Sequence, residues 1–262
     1  MTIAAYPQLS ADFYTDVRLG KIPGYALELV TGNGIVTTAY SPISTTLLYP
    51  TPTAAVSLEV LSSSANDTSA GSGARTITVT GLDANWAEIS QVITMNGVTP
   101  VAVPTALLRV YKVMVTTSGT YPATLNTGSH AGTITVRVAG AGATWQSINA
   151  ASGFPAGEAS ICSYTIPLGK TGYLIWKNLD IETTKAVDVR FLYRELANDV
   201  TVPYTGITRQ LFRESSSVGE SQHIWKAPLI PMVGPCDLGP IAAVTVGTAN
   251  VSFDYMLLIT TP

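Results

Sequence analysis

Only 12% of the 262 residues are charged, and the chain has just two histidines and two cysteines. The charged share is about half of the ~25% common in globular domains, and each scarcity excludes something. Helix surfaces are normally covered by Glu, Lys, Gln and Arg, so their shortage argues against a helical protein. The 14 Lys and Arg stand singly in a chain of net charge −3 and pI about 5.3, which leaves no basic footprint for nucleic acid. His130 and His223 lie in no zinc-binding pattern, and neither Cys162 nor Cys236 has metal-ligand neighbours. Both cysteines are expected to be buried free thiols. The longest apolar runs, such as 255–259, fall far short of the ~20 residues a membrane helix needs. The opening residues lack the basic region and continuous apolar stretch of a secretory signal.

What is abundant points to strands. Thr, Ser, Ala and Gly replace the missing charge, β-branched Thr and Val suit a pleated surface, and 22 Gly with 16 Pro supply turns. Within 75–80, Thr76, Thr78 and Thr80 share one face while Ile77 and Val79 share the other, the period-2 signature of a half-buried strand. Further strands are expected at 56–60, 86–94, 107–116 and 133–138; Gly81-Leu-Asp-Ala-Asn85 turns the chain so that 86–94 runs back as a hairpin, and Asn96-Gly97 marks a further tight turn. In 107–116 a lone Arg109 interrupts an otherwise apolar face. More strands follow at 161–165, 173–179, 187–191, 207–212, 222–230 and 241–246. The clearest lies at 250–260, where Val251, Phe253, Tyr255, Leu257 and Ile259 share a face.

Short strands separated by turns indicate an all-β fold, read here as two antiparallel β-sandwich units of jelly-roll or Greek-key type. Residues 1–50, broken by Pro7, Pro23, Pro42 and Pro50 and by a turn signal at Gly32-Asn33-Gly34, read as an extended N-terminal arm. The first β unit is expected over 51–140, a linker over 141–157 and the second β unit over 158–262.

Chemistry-bearing patterns are scarce. Asp83, Glu88, Asp188, Glu195 and Glu214 fall in turns or alternate outward on strands, so no pair is placed for glycoside cleavage. The Gly32-Asn-Gly34 and Gly71-Ser-Gly73 segments lack the strand-to-helix context of a phosphate loop. No catalytic, cofactor-binding or metal-binding residue is expected. Trp145 in the linker must be pinned between the two units or against a partner, and His223 precedes Ile224-Trp225 in a strand. Trp145, His223 and Trp225 are therefore the candidate interface residues.

The stretch Ser63-Ser-Ala-Asn-Asp-Thr-Ser-Ala-Gly-Ser-Gly-Ala-Arg-Thr-Ile-Thr-Val-Thr-Gly-Leu-Asp-Ala-Asn-Trp86 resembles a family of virion structural proteins of tailed bacteriophages, chiefly aquatic and cyanobacterial ones. Residues 88–97, 106–110 and 164–172 fit it too, so the likeness covers roughly 50–180. The resemblance implies a non-enzymatic virion component assembled in the host cytoplasm. It would be a homo-oligomer, a trimer by the habit of such proteins, packing on itself and on the major capsid protein or tail proteins. Capsid decoration or cement, or a spike, is the expected role; the alternative is a tail-associated protein that binds host-surface glycan. No membrane or nucleic-acid partner is expected.

Overall fold

A computed structural model describes residues 12–124, 127–150, 157–181, 185–216, 219–224 and 230–261. The protein is all-β, with 52% strand and 3% helix. Its first elements are α1 (Phe13–Arg18), β1 (Tyr25–Val36), β2 (Ser41–Pro42), β3 (Leu58–Ser62), β4 (Ala74–Leu82) and β5 (Glu88–Thr94). Next come β6 (Val101–Ala102), β7 (Arg109–Ser118), β8 (Ile134–Val138), β9 (Thr144–Ile148), β10 (Tyr164–Ile166) and β11 (Thr171–Ile181). The chain ends with β12 (Val187–Arg194), β13 (Arg209–Ser216), β14 (Gly219–Ile224), β15 (Met232–Val233), β16 (Cys236–Val244) and β17 (Ala249–Thr260).

These strands form four small antiparallel sheets, which stand as four blades of a ring. Sheet I has the order β1-β17-β11-β14 with β15 on β11, and sheet II the order β10-β16-β12-β13 with β2 on β16. Sheet III runs β6-β3-β8-β9, and sheet IV runs β5-β4-β7. The expected all-β class is present. The strand orders do not establish the jelly-roll or Greek-key sandwich form.

Two large cores hold the sheets together, the first fed by sheets I and II with Leu82 and Tyr111 of sheet IV, the second by sheets III and IV. Sheets I and II supply Val30, Leu174, Phe191, Leu238, Phe253 and Tyr255 to the first. Sheets III and IV supply Leu58, Val60, Ile77, Val79, Val113 and Val136 to the second. The alternation read at 250–260 is realised in β17, where each inward residue from Val251 to Ile259 is buried. Burying each such side chain contributes ~2 kcal/mol. Helix α1 is capped by Asp12, whose carboxylate accepts from Tyr14 N at 3.1 Å, and its Val17 packs with Ile175 and Leu258 on sheet I.

Three local expectations are corrected. Residues 25–36, expected within an extended arm, form β1 and pair with β17 along their whole length. The Gly32-Asn33-Gly34 segment is therefore mid-strand and not a turn. A Cβ on Gly32 would collide with Cys162, and one on Gly34 would press on the Ser44 backbone, so the glycines permit close approach of the neighbouring chain. Asn96-Gly97 does turn the chain, with Gly97 at φ 60, but it leads from β5 in sheet IV to β6 in sheet III. The hairpin expected from the turn at 81–85 is present as β4–β5, closed where Asp83 accepts from Asn85 N and Ala87 N. Part of the expected linker, β9, is a strand of sheet III.

One buried carboxylate organises the second core's loops. Asp67, with no exposed surface, accepts from the Ser62 hydroxyl at 2.5 Å and from the N–H groups of Ala74 at 2.7 Å, Ala131 at 2.8 Å and Gly132 at 2.9 Å. These bonds tie the 62–74 loop to the approach of β8, replacing the water this charge would otherwise require.

Candidate functional site

The two halves of the chain meet at a buried ion pair. Arg109 opens β7 in sheet IV, has no exposed surface, and reaches Asp237 on β16 in sheet II. The contact is bidentate, with Nε donating to Oδ1 at 2.7 Å and Nη2 to Oδ2 at 2.8 Å. Nη1 donates to the carbonyls of Leu108 at 2.8 Å and Pro52 at 3.3 Å, and the Trp86 ring lies 4.8 Å from the guanidinium. The Thr165 hydroxyl donates to Asp237 at 2.7 Å and so accepts from Tyr49, also at 2.7 Å. Burial pushes the Tyr49 phenol up, with the Asp237 charge adding to it, so Tyr49 stays a donor. Every strong polar group here has a partner, which turns a costly buried charge into a rigid joint.

A second cross-link joins sheets I and II. Lys177 on β11 is buried, pairs with Glu214 on β13, and lies 5.5 Å from the Phe212 ring. Such joints hold the outer loops in fixed relative positions.

The most unusual of those loops spans 195–208, between β12 and β13. Its apolar side chains face solvent, with Val202 73%, Ile207 61%, Tyr204 55% and Leu196 51% exposed, and Val233 beside it 55%. A mobile loop would gain little from such residues, but this one is pinned. Asp199 accepts from the N–H groups of Thr201 and Thr205 and, at 2.6 Å, from the Thr205 hydroxyl. The Thr205 hydroxyl, then the backbone N–H groups, hold the Asp199 carboxyl at about 2, below its ordinary 3.8. Arg194 Nε donates to Gly206 O at 3.1 Å, Val233 N to the Glu195 carboxylate at 3.2 Å, and Ala197 N to Pro235 O at 3.0 Å. Gly206 is needed because a Cβ there would sit 2.5 Å from Leu196 O, while Leu196 itself is held at φ 52, in the left-handed region that non-glycine residues disfavour. A preorganised apolar surface of this kind loses little conformational entropy on association.

The sequence-predicted residues fall elsewhere. Trp145 is 4% exposed on β9 and packs in the second core, so within this chain it is a core residue and not a contact surface. The backbone of His223 pairs with Lys177 through β14, its side chain lies outside what is described, and Trp225 lies outside the described residues. His130 is buried between Ser129 and the Asn149 carbonyl. Cys162 and Cys236 are free, buried thiols pushed up by burial. Among the carboxylates, Glu88 accepts from Tyr111, Asp188 from Arg213 and Arg190, and Glu214 pairs with Lys177. Among the described residues no group of three or more His, Cys, Asp or Glu could hold a metal ion, and no helix is long and apolar enough to cross a membrane. The 195–208 loop went unnoticed in the sequence because its apolar residues show no period; the signal that could have found it is Leu196, Val200, Val202, Tyr204 and Ile207 recurring within a Pro- and Gly-containing turn region.

No protein-family model matches the chain, and no curated protein matches it. Similar solved structures include "Structure of infectious bursal disease virus Gx strain", at 10% identity over 90% of this chain and 76% of that one, with a TM-score of 0.23. Another is "Crystal structure of infectious bursal disease virus VP2 subviral particle", at 13% identity over 91% and 72%, with a TM-score of 0.22. Superpositions this loose carry neither a fold nor a role across, and neither name is that of a bacteriophage.

Proposed function

We propose that this chain is a non-enzymatic structural subunit of a bacteriophage particle, working as a homo-oligomer that decorates or cements the capsid or forms a spike. The observation that carries the reading is the 195–208 loop, which the fold holds rigid while leaving its apolar side chains uncovered. Contacts between copies would cover them, and the sparse charge of the whole chain lowers the desolvation cost of packing against other virion proteins. The resemblance of 63–86 to phage virion proteins supports the same role. Assembly in the host cytoplasm and a trimeric state belong to this proposal.

The test is the mass of the purified protein in solution by light scattering and native mass spectrometry. An oligomer, trimeric by this reading, is expected, and Val202→Asp combined with Tyr204→Asp should convert it to monomer. A wild-type protein that stays monomeric at high concentration would overturn the reading. Calibrated copy number in purified particles then separates lattice decoration, with many copies, from a tail component with few. A second reading, a tail-associated protein that binds host-surface glycan, is favoured by one feature, a hydroxyl-lined groove beside β7.

A further inference from the structure

Strand β7 stays paired with β4 as far as Ser118 and leads on to residues 119–124 and 127–130, and Glu158 approaches it from the other side through a bridge to Met114. Between them lies a groove of about 580 Å³, within the ~300–1,000 Å³ range of small-molecule sites. Among the described residues its lining contains no Lys, Arg or His, although the Arg75 guanidinium approaches it beside Gly119. The one charged group of the lining is the half-buried Glu158 carboxylate, which takes part in no ion pair or hydrogen bond among the described residues.

Three hydroxyls of the lining donate to backbone carbonyls outside the groove. Thr120 donates to Ser72 O at 2.6 Å, Ser118 to Gly73 O at 3.2 Å, and Thr127 to Thr124 O at 3.2 Å. These hydroxyls and the Glu158 carboxylate offer acceptor lone pairs to the groove, and the Tyr121 hydroxyl offers a donor. Tyr121, 85% exposed at its rim, presents an aromatic face with no packing duty in the fold. A complementary ligand brings many O–H donors, an apolar face to lie on a ring, and no negative charge.

We propose that this groove binds an uncharged saccharide, with Tyr121 stacking on a pyranose face and Glu158 accepting from its hydroxyls. The inference deepens the second, glycan-binding reading and rests on it. An acidic sugar would set its carboxylate against Glu158 with no cation in the lining to offset it, so sialylated or sulfated glycans are disfavoured.

The test uses the full-length protein in its native oligomeric state, titrated with lactose, maltotriose and chitotriose, and with sialyllactose as the charged counterpart, by calorimetry and saturation-transfer NMR. Saturable binding of at least one neutral sugar is expected, about tenfold weaker in Tyr121→Ala, weakened also in Glu158→Gln, and unchanged in Val92→Thr, at an exposed position away from the groove and the 195–208 loop. Both groove variants alter side chains without folding partners, and circular dichroism should confirm their structure. Binding to none of the neutral sugars, binding indifferent to both groove variants, or a preference for sialyllactose would overturn the proposal. The solution mass, measured on the same samples, reports separately on the structural role.

Discussion

The joint at Arg109 and the loop at 195–208 invert the usual arrangement of a protein. At the joint a fully buried guanidinium meets a largely buried carboxylate, and hydrocarbon is displayed on the loop. Both are held by dense hydrogen bonding, yet they differ in what is left over. At the joint each polar group finds a partner inside the chain, whereas the loop satisfies its backbone and leaves its apolar side chains without one. The comparison separates groups that serve folding from groups that folding does not need. The loop keeps this apolar surface with Leu196 held in the left-handed region, and under the proposed assembly contacts between copies would cover it.

Breaking the joint should have the largest effect. Arg109→Met removes the guanidinium and strands Asp237 in a site with only the Thr165 hydroxyl to hold it, a loss of about 3–5 kcal/mol. Denaturant unfolding should show this as a lower midpoint. Adding Asp237→Leu should recover part of the stability, because an apolar pair in this space avoids the uncompensated charge. If the double variant were no better than the single one, Arg109 would matter for its packing beside Trp86 and not for its charge.

Asp67 offers the same test in the other core. Asp67→Ala orphans the N–H groups of Ala74, Ala131 and Gly132 and should cost about 2–3 kcal/mol. Here the loss should be accompanied by faster amide exchange at those three positions, while the joint at Arg109 stays protected.

How much of this was legible in the sequence follows from the range of the forces involved. Alternation is local, so the strand at 250–260 and the Thr face at 76–80 could be read directly, and both are present in β17 and β4. Pairing across the chain is not local. Nothing near Tyr25 announces that its strand will lie along β17, more than two hundred residues later, and Pro23 and the two glycines made the segment look irregular. Arg109 was visible as an anomaly on an apolar strand face, but its partner at Asp237 could come only from the fold. Trp145 was expected to be pinned between the two units or against a partner, and in the fold it packs in the second core. The loop at 195–208 has no periodicity, and the exposure of its apolar side chains is a property that no pattern of residue types specifies.

On the loop side of the comparison, variants should leave stability alone. Val202→Asp and Tyr204→Asp remove exposed apolar groups and should shift unfolding of the isolated monomer by no more than about 0.5 kcal/mol, while abolishing assembly. A large destabilisation without loss of assembly would place these residues in the folding ledger after all and erase the contrast with the joint.

The smallest effect expected is an acid response of the loop. Asp199 sits at about 2 in the folded chain against an ordinary 3.8, chiefly because the Thr205 hydroxyl and then the Thr205 and Thr201 N–H groups favour its ionised form. A depressed value means the loop's order is fully supported above about pH 4 and is lost as pH falls toward 2. Amide exchange at Thr201 and Thr205, corrected for its intrinsic pH dependence, should therefore rise over that interval in the wild type. In Asp199→Asn it should be raised already at neutral pH and show no such step. The joint has no comparable dependence on Asp199, so protection of β7 should be the same in both proteins at neutral pH, and a change there would mean that the loop and the joint are one cooperative unit.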